Sequence, residues 1–117
     1  MGRVTAAVQR KTRRKKVLKS AKGFTGSRKN LFKVAKETLF RAMAYNYRDR
    51  KVKKRTMRGL WITRISIASK DIGVNYSQFM EGLTKAGIKL NRKILADLAV
   101  NDKDTFKKIV EMTKQAN

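Results

Sequence analysis

The 117 residues suit one domain or a small domain with an appendage, and 31 Lys or Arg against 8 Asp or Glu give a formal net charge of +23. Such a charge opposes a compact monomer through self-repulsion and indicates a polyanionic partner, most often nucleic acid, with an anionic membrane as the alternative. The absence of Cys and His excludes disulfides, thiolate or imidazole metal sites, and Cys or His nucleophiles.

The first predicted element is a short helix over residues 4–21. Its apolar residues, such as Val8 and Leu18, form no continuous stripe, because the basic run RKTRRKK at residues 10–16 lies between them. A helix without an apolar stripe cannot bury a core by itself. We therefore expect this segment to become ordered only on its partner.

A break follows in KGFTGSRKN, residues 22–30, which contains two Gly, a Ser and an Asn. The GFTG stretch within it matches the GXXG pattern of loops that clamp a nucleic-acid backbone, but the strands of that module are missing. A flexible turn between helices is the simpler interpretation, and it still brings backbone N–H groups close to phosphates. Ser27 or Asn30 is expected to cap the next helix.

One helix of roughly 40 residues, about 60 Å long, is predicted over residues 31–72. Gly59 is the one strong breaker in this interval, and whether it kinks the helix is left open. A basic block at residues 48–58, where seven of eleven residues are Lys or Arg, separates two apolar faces. These faces contain Leu39, Phe40, Met43 and Tyr47 before the block and Trp61, Ile65, Ala68 and Ile72 after it.

Three short helices complete the chain, and no segment alternates convincingly as a strand. The expected capping positions are Gly73 and Ala86–Gly87 at helix ends, with Ser77, Asn91 and either Asn101 or Asp102 at helix starts. The apolar faces contain Phe79, Met80, Leu83, Ile94, Leu95, Leu98, Ala99, Phe106, Ile109, Val110 and Met112, and the buried face begins at Leu60 and Trp61.

The expected fold is therefore all-α, with a long basic N-terminal helical extension leading into a small C-terminal helical bundle. Residues 1–60 carry 21 basic and 2 acidic residues, whereas residues 61–117 carry 10 and 6. We accordingly predict a basic arm over residues 1–59, consisting of two helices joined by a loop near residues 22–30, and a globular domain over residues 60–117. A core this small is marginal alone, so partner binding is expected to stabilise it.

Cations surround the helices of the arm instead of lining one face. In residues 48–58 only Val52 and Met57 are strongly apolar, so the apolar face that a membrane-surface helix needs is missing. No apolar run approaches the length of a membrane span. A solvated charged helix would need acidic partners at i,i+4, and a nuclear-localisation patch would explain one basic block but not two. Charges on all sides suit a helix surrounded by phosphates.

Aromatic residues are interleaved with these cations. Phe24, Tyr45 and Tyr47 suit either stacking on exposed bases or packing within the protein, whereas Trp61 is expected to pack. Asp49 is expected to pair with an adjacent Arg or Lys. The other acidic residues are scattered, and no nucleophile, base and orienting group occur together, so no enzymatic activity is expected.

YRDRKVKKR, LWITRI, YSQFMEGLTKAGI and RKILADLAVND occur in this order, and AKGFTGSRKN precedes them. In these motifs the chain resembles bacterial-type ribosomal protein twenty of the large subunit, over nearly its full length. It departs from the family at Thr25, where many members carry a second aromatic residue. The resemblance implies an all-helical protein that binds large-subunit ribosomal RNA, supports early subunit assembly and is not an enzyme.

The resemblance also implies partners and a location. Neighbouring large-subunit ribosomal proteins are expected to contact the chain, without a cofactor, metal, membrane or small-molecule substrate. Members of the family can repress translation of their own operon by binding its messenger RNA, an activity that would rest on the C-terminal domain. The expected location is the ribosome in the cytoplasm of a bacterium, with a plastid or another organelle of bacterial descent as the alternative.

The leading hypothesis is a structural ribosomal RNA-binding protein whose arm neutralises phosphates from several RNA segments at once. A DNA-compacting protein would share the charge, but the usual dimer interface or minor-groove wedge is not evident. The residues expected to bind RNA are Arg3, Arg10, Lys11, Arg13, Arg14, Lys15, Lys16, Lys19, Lys22, Gly23, Phe24, Gly26, Ser27, Arg28, Lys29, Lys33, Tyr45, Tyr47, Arg48, Arg50, Lys51, Lys53, Lys54, Arg55, Arg58 and Arg64.

Overall fold

A computed structural model describes residues 6–116, and every regular element within them is helical. Their α-helices are α1 (Ala7–Ser20), α2 (Phe32–Asp71), α3 (Tyr76–Lys85), α4 (Arg92–Asn101) and α5 (Lys103–Ala116), with a 3₁₀ turn at Gly26–Lys29. The predicted all-α class is confirmed. The predicted start of the first helix at Val4 lies outside the described residues. In the part of the chain that is described, no helix combines the length and apolarity needed to cross a membrane.

The long helix predicted from the sequence is confirmed as α2, which has 40 residues. It remains α-helical through Gly59, so the potential breaker does not interrupt it. Gly73 ends the helix as predicted, because its φ of +82° is a conformation that other residues rarely adopt. The Gly73 N–H donates to the Lys70 carbonyl at 2.9 Å, and the Val74 N–H donates to the Ser69 carbonyl at 3.0 Å. This pair of bonds is a Schellman motif.

The starts of α4 and α5 are capped as predicted. The Asn91 side chain accepts a hydrogen bond from the backbone N–H of Ile94 at 2.9 Å, and the Asp102 carboxylate accepts one from the backbone N–H of Thr105 at 3.1 Å. The Thr105 hydroxyl also donates to Asp102. That hydroxyl bond, together with the backbone bond, lowers the pKa of the Asp102 carboxyl from its ordinary value. The ionised carboxylate is therefore the form that caps α5.

The start of α3 was predicted wrongly. Asn75, and not Ser77, precedes the helix, and the Asn75 N–H donates to the side-chain oxygen of Gln78 at 3.3 Å. Asn75 takes this position because its backbone is extended, with φ −75° and ψ 153°, which places Ser77 inside the helix. The predicted caps of α2, Ser27 and Asn30, are also not adjacent to its first residue, because the 3₁₀ turn occupies that part of the loop.

Contacts between residues divide the chain into an N-terminal unit, Met1–Lys51, and a C-terminal unit, Val52–Asn117. Helix α2 contributes residues to both units. The functional division that the charge pattern predicts, after residue 59, stays a prediction. The two units differ in how much apolar surface they bury.

The core of the C-terminal unit joins one face of α2 to α3, α4 and α5. Its largest fully buried apolar side chains are Ile65, Phe79, Leu95, Phe106 and Val110. The rings of Phe79 and Phe106 lie with their centres 5.4 Å apart at an angle of 53°, a favourable aromatic arrangement. Trp61, Ala68 and Ile72 pack against this core, so the second apolar face predicted on α2 is confirmed.

Three residues expected on the apolar faces of the bundle are exposed. The exposed fractions are 40% for Leu60, 45% for Ile94 and 57% for Met112. Thr113 is buried instead of Met112, because positions 106, 110 and 113 share one face of a helix of period 3.6. The Thr113 hydroxyl donates to the Val110 carbonyl at 2.6 Å, which satisfies its polar group inside the core.

Among its described residues the N-terminal unit buries only Ala21 and Ala35. Burying two methyl groups stabilises a fold by about 2 kcal/mol. Fixing the backbone of a single residue costs about 1–2 kcal/mol. On the first apolar face predicted on α2, Leu39 is half-buried, whereas Phe40, Met43 and Tyr47 are 61%, 60% and 65% exposed. Complete burial of apolar side chains in the described part of this unit is therefore confined to two alanines, and its other apolar contacts are half-buried or exposed.

Candidate nucleic-acid interface

Nearly all the residues expected to bind RNA are exposed. Arg3 lies outside the described residues, and among the others only Phe24 is half-buried. The exposed ones in the N-terminal unit are Arg10, Lys11, Arg13, Arg14, Lys15, Lys16, Lys19, Lys22, Gly23, Gly26, Ser27, Arg28, Lys29, Lys33, Tyr45, Tyr47, Arg48, Arg50 and Lys51. Those in the C-terminal unit are Lys53, Lys54, Arg55, Arg58 and Arg64. Their contacts with RNA stay a prediction.

Helix α1 meets the first turn of α2 through a cation and an aromatic ring. The guanidinium carbon of Arg14 lies 5.3 Å from the centre of the Phe32 ring. Arg10 and Arg13 line a cleft of about 340 Å³ beside this contact. Arg14, Phe32, Ala6 and Gln9 are the other lining residues, so the charge of this cleft is entirely positive.

The loop between α1 and α2 adds a second cationic cleft. Gly23 and Gly26 have φ values of +92° and +62°, which favour Gly at both ends of the GFTG stretch. The space around each is open, because a Cβ added there would meet no atom within 4 Å. The cleft beside the loop has a volume of about 550 Å³, and its lining includes Lys15, Lys19, Lys22 and Lys29.

Phe24 and Tyr45, far apart in sequence, line the same cleft of about 380 Å³. The remaining lining residues are Arg28, Val34, Glu37, Thr38, Arg41 and Ala42. Aromatic rings beside guanidinium groups suit an unstacked base with its phosphate. Arg41 was missed from the sequence, although its position four residues before Tyr45 on a helix indicates a neighbour.

Arg48 lies between an acid and a ring. Its Nε donates to Asp49 Oδ1 at 2.9 Å, which confirms the pairing expected for Asp49. Its guanidinium carbon lies 4.7 Å from the centre of the Tyr45 ring. The hydrogen bond to Asp49 and the charge of that carboxylate raise the pKa of Arg48, so the guanidinium stays charged.

The other exposed rings of α2 also carry cations. The Lys51 Nζ lies 4.6 Å from the centre of the Tyr47 ring and donates to the Tyr47 hydroxyl at 3.2 Å. The Lys36 Nζ lies 5.8 Å from the centre of the Phe40 ring. Because Tyr45 and Tyr47 are 52% and 65% exposed, neither ring is packed into a core of its unit. Both rings are therefore accessible to an RNA base, and stacking stays a prediction.

Acidic side chains neutralise few of these cations. Within residues 6–116 the ion pairs are Arg48–Asp49 at 2.9 Å and Glu81–Lys85 at 3.0 Å. A solvated charged helix would carry many more i,i+4 pairs. The same residues hold no group of three or more His, Cys, Asp or Glu that would suit a metal ion. The surface is thus suited to binding polyanions.

Known proteins match the chain along almost its whole length. Residues 3–109 match the family model described as Ribosomal protein L20. The chain is 53% identical to the large ribosomal subunit protein bL20 of Nitrosomonas europaea, covering 97% of this chain and 96% of that one. It is 50% identical to the bL20 proteins of Carboxydothermus hydrogenoformans, over 98% of each chain, and Azorhizobium caulinodans, over 99% of this chain and 98% of that one. The match covers the cationic helices and the C-terminal core alike, and the chain belongs to the family of ribosomal protein L20.

Proposed function

We propose that the protein is a structural constituent of the large ribosomal subunit and binds large-subunit ribosomal RNA directly. The observation that carries this proposal is a surface of exposed cations, almost free of acidic partners, on a member of a ribosomal protein family. The relatives are ribosomal proteins of bacteria, which supports a ribosomal, cytoplasmic location and a role other than catalysis.

The proposed mechanism is charge neutralisation inside folded RNA. RNA segments that approach each other carry phosphates whose mutual repulsion opposes compaction. Residues 1–60, with a net charge of +19 from 21 basic and 2 acidic residues, lower that repulsion when they lie between the segments. We infer from this a role early in subunit assembly, since neutralisation must precede close packing of the RNA. Phosphate contacts position the chain without reading sequence.

Two further partners belong to the same proposal. Neighbouring large-subunit ribosomal proteins contact the chain once the subunit has assembled. The chain also binds its own messenger RNA and represses translation, as the sequence resemblance implies, and the C-terminal unit is the part that recognises this second RNA. Folded messenger RNA offers the same phosphates and unstacked bases as ribosomal RNA, so the chemistry of recognition is shared.

A competition experiment tests the RNA preference. Labelled, folded large-subunit ribosomal RNA is bound to the full-length protein. Unlabelled ribosomal RNA, duplex DNA or anionic vesicles are then added at increasing concentrations, each expressed as the concentration of phosphate. We expect ribosomal RNA to compete at a concentration at least about tenfold lower than duplex DNA, because its junctions present phosphates and unstacked bases together. Vesicles should compete least, because residues 48–58 have no apolar face. Equal competition by duplex DNA would contradict the proposal and favour a DNA-compacting protein.

The N-terminal unit is expected to gain its helical structure from RNA. Its described residues bury only Ala21 and Ala35, so the free protein should show helix for the C-terminal unit and little for residues 6–51. Circular dichroism of the free protein should rise in helicity when ribosomal RNA is added, after subtraction of the RNA signal. Hydrogen exchange provides the control, because amides of α3 to α5 should be protected in both states. Full protection of α1 without RNA would contradict this expectation.

A further inference from the structure

An acidic residue lies within the most basic part of the chain. Asp49 is one of 2 acidic residues among the first 60, and it follows Arg48 directly. Its charge repels the phosphates that this surface is proposed to bind. Side chains at i and i+1 of a helix do not face each other, yet Arg48 Nε and Asp49 Oδ1 lie 2.9 Å apart. Both side chains therefore turn toward each other along the surface of α2.

The contacts of Arg48 leave one edge of its guanidinium group available. Asp49 takes the Nε donor, and the guanidinium carbon lies 4.7 Å from the centre of the Tyr45 ring. No described residue accepts a hydrogen bond from the two Nη groups, whose four N–H bonds remain. Paired N–H groups of this kind match two oxygens of one phosphate. Lys has no equivalent planar fork.

We propose that Asp49 is a positioning residue of the RNA interface, which holds Arg48 across Tyr45 so that its Nη edge binds an RNA phosphate. The base next to that phosphate then stacks on the exposed part of the Tyr45 ring. The ligand is thus one nucleotide of RNA with an unstacked base. This inference rests on the proposed binding of ribosomal RNA. Single substitutions at acidic residues test the positioning role separately from RNA binding itself.

The direction in which one substitution changes the affinity for RNA distinguishes a positioning role of Asp49 from a simple effect of its charge. If charge alone matters, Asp49→Ala removes a repulsive carboxylate and tightens RNA binding. If Asp49 positions Arg48, the same substitution weakens binding. Glu37 is a matched control, because it is the other acidic residue of the first 60, lines the cleft of Phe24 and Tyr45 and forms no ion pair within residues 6–116. Its removal therefore takes a negative charge away from the same interface without releasing a cation. Ala has a higher helix propensity than Asp or Glu, so neither substitution is expected to reduce the helicity of α2.

The measurement is the dissociation constant of full-length protein for folded large-subunit ribosomal RNA, at several salt concentrations. Glu37→Ala is expected to bind about twofold more tightly. Asp49→Ala is expected to bind about fivefold more weakly, with a salt slope lower by about 0.7–0.9 for the lost phosphate. Arg48→Lys, which keeps the charge without the fork, should weaken binding about as much. In the Arg48→Lys background, Asp49→Ala should tighten binding as Glu37→Ala does.

Two other outcomes have distinct meanings. If Asp49→Ala tightens binding in the wild-type background to the same extent as Glu37→Ala, the positioning role is wrong while RNA binding stands. If the wild-type protein does not prefer ribosomal RNA over duplex DNA, the proposed function fails before the variants are compared. Circular dichroism of each RNA complex checks that the variants reach the same helicity.

Discussion

The affinity of the full-length protein for folded ribosomal RNA should fall by about three to five orders of magnitude between about 50 and 200 mM salt. This size follows if about six to ten phosphates are neutralised, because each releases counterions and adds about 0.7–0.9 to the logarithmic slope. Residues 1–60 contain 21 cations, so contact by fewer than half of them suffices. A slope that corresponds to one or two phosphates would contradict binding by an extended cationic surface.

Two charge-matched variants show which part of the chain produces the salt dependence of binding. In the first variant four exposed cations of the basic block are replaced by Gln, namely Arg50, Lys53, Lys54 and Arg55. In the second variant four exposed lysines outside the proposed site are replaced by Gln, namely Lys70, Lys89, Lys93 and Lys108. The first should lower the slope by about three units and the second by less than about one, although both remove the same charge. Equal changes would mean that net charge, and not this surface, determines binding.

The sequence predicts α2 well because its determinants are local. No Pro interrupts residues 31–72, and Gly73 supplies the left-handed conformation that ends the helix. The start of α3 depends on the backbone conformation of the residues after Gly73. Both Asn75 and Ser77 are good capping residues, but the chain leaving Gly73 and Val74 is already extended at Asn75. Capping preference alone does not choose between them.

The sequence predicts which residue types form the candidate interface, but it does not predict how their side chains are arranged. The charge pattern identifies Arg48 and Asp49 as neighbours in a basic block, and residue types alone predict that they pair. The contact of Arg48 with Tyr45 is local to α2, but it depends on rotamers that a sequence pattern does not specify. The cleft that joins Phe24 to Arg41 requires the loop after α1 to fold against α2, a tertiary contact without a signature in residue spacing.

Replacing Phe106 with Ala should remove most of the stability of the C-terminal unit. Phe106 is 1% exposed, and its ring centre lies 5.4 Å from that of Phe79. Loss of a buried Phe costs about 3–5 kcal/mol, and a unit of this size has a free energy of unfolding of only about 3–10 kcal/mol. The cooperative transition in urea, followed by far-ultraviolet circular dichroism of the full-length protein, should shift to much lower denaturant or disappear.

Met112→Ala is the matched control, because the hydrophobic pattern predicts an inward Met112 while its exposed fraction is 57%. We expect this variant to change the free energy of unfolding by less than about 0.5 kcal/mol. A loss as large as that of Phe106→Ala would place Met112 in the core and contradict the structure. Phe106→Ala keeps all 31 cations, so its salt slope on ribosomal RNA should stay close to the wild-type value while its affinity falls. The slope counts neutralised phosphates, whereas the affinity also includes the free energy of folding the C-terminal unit on the RNA.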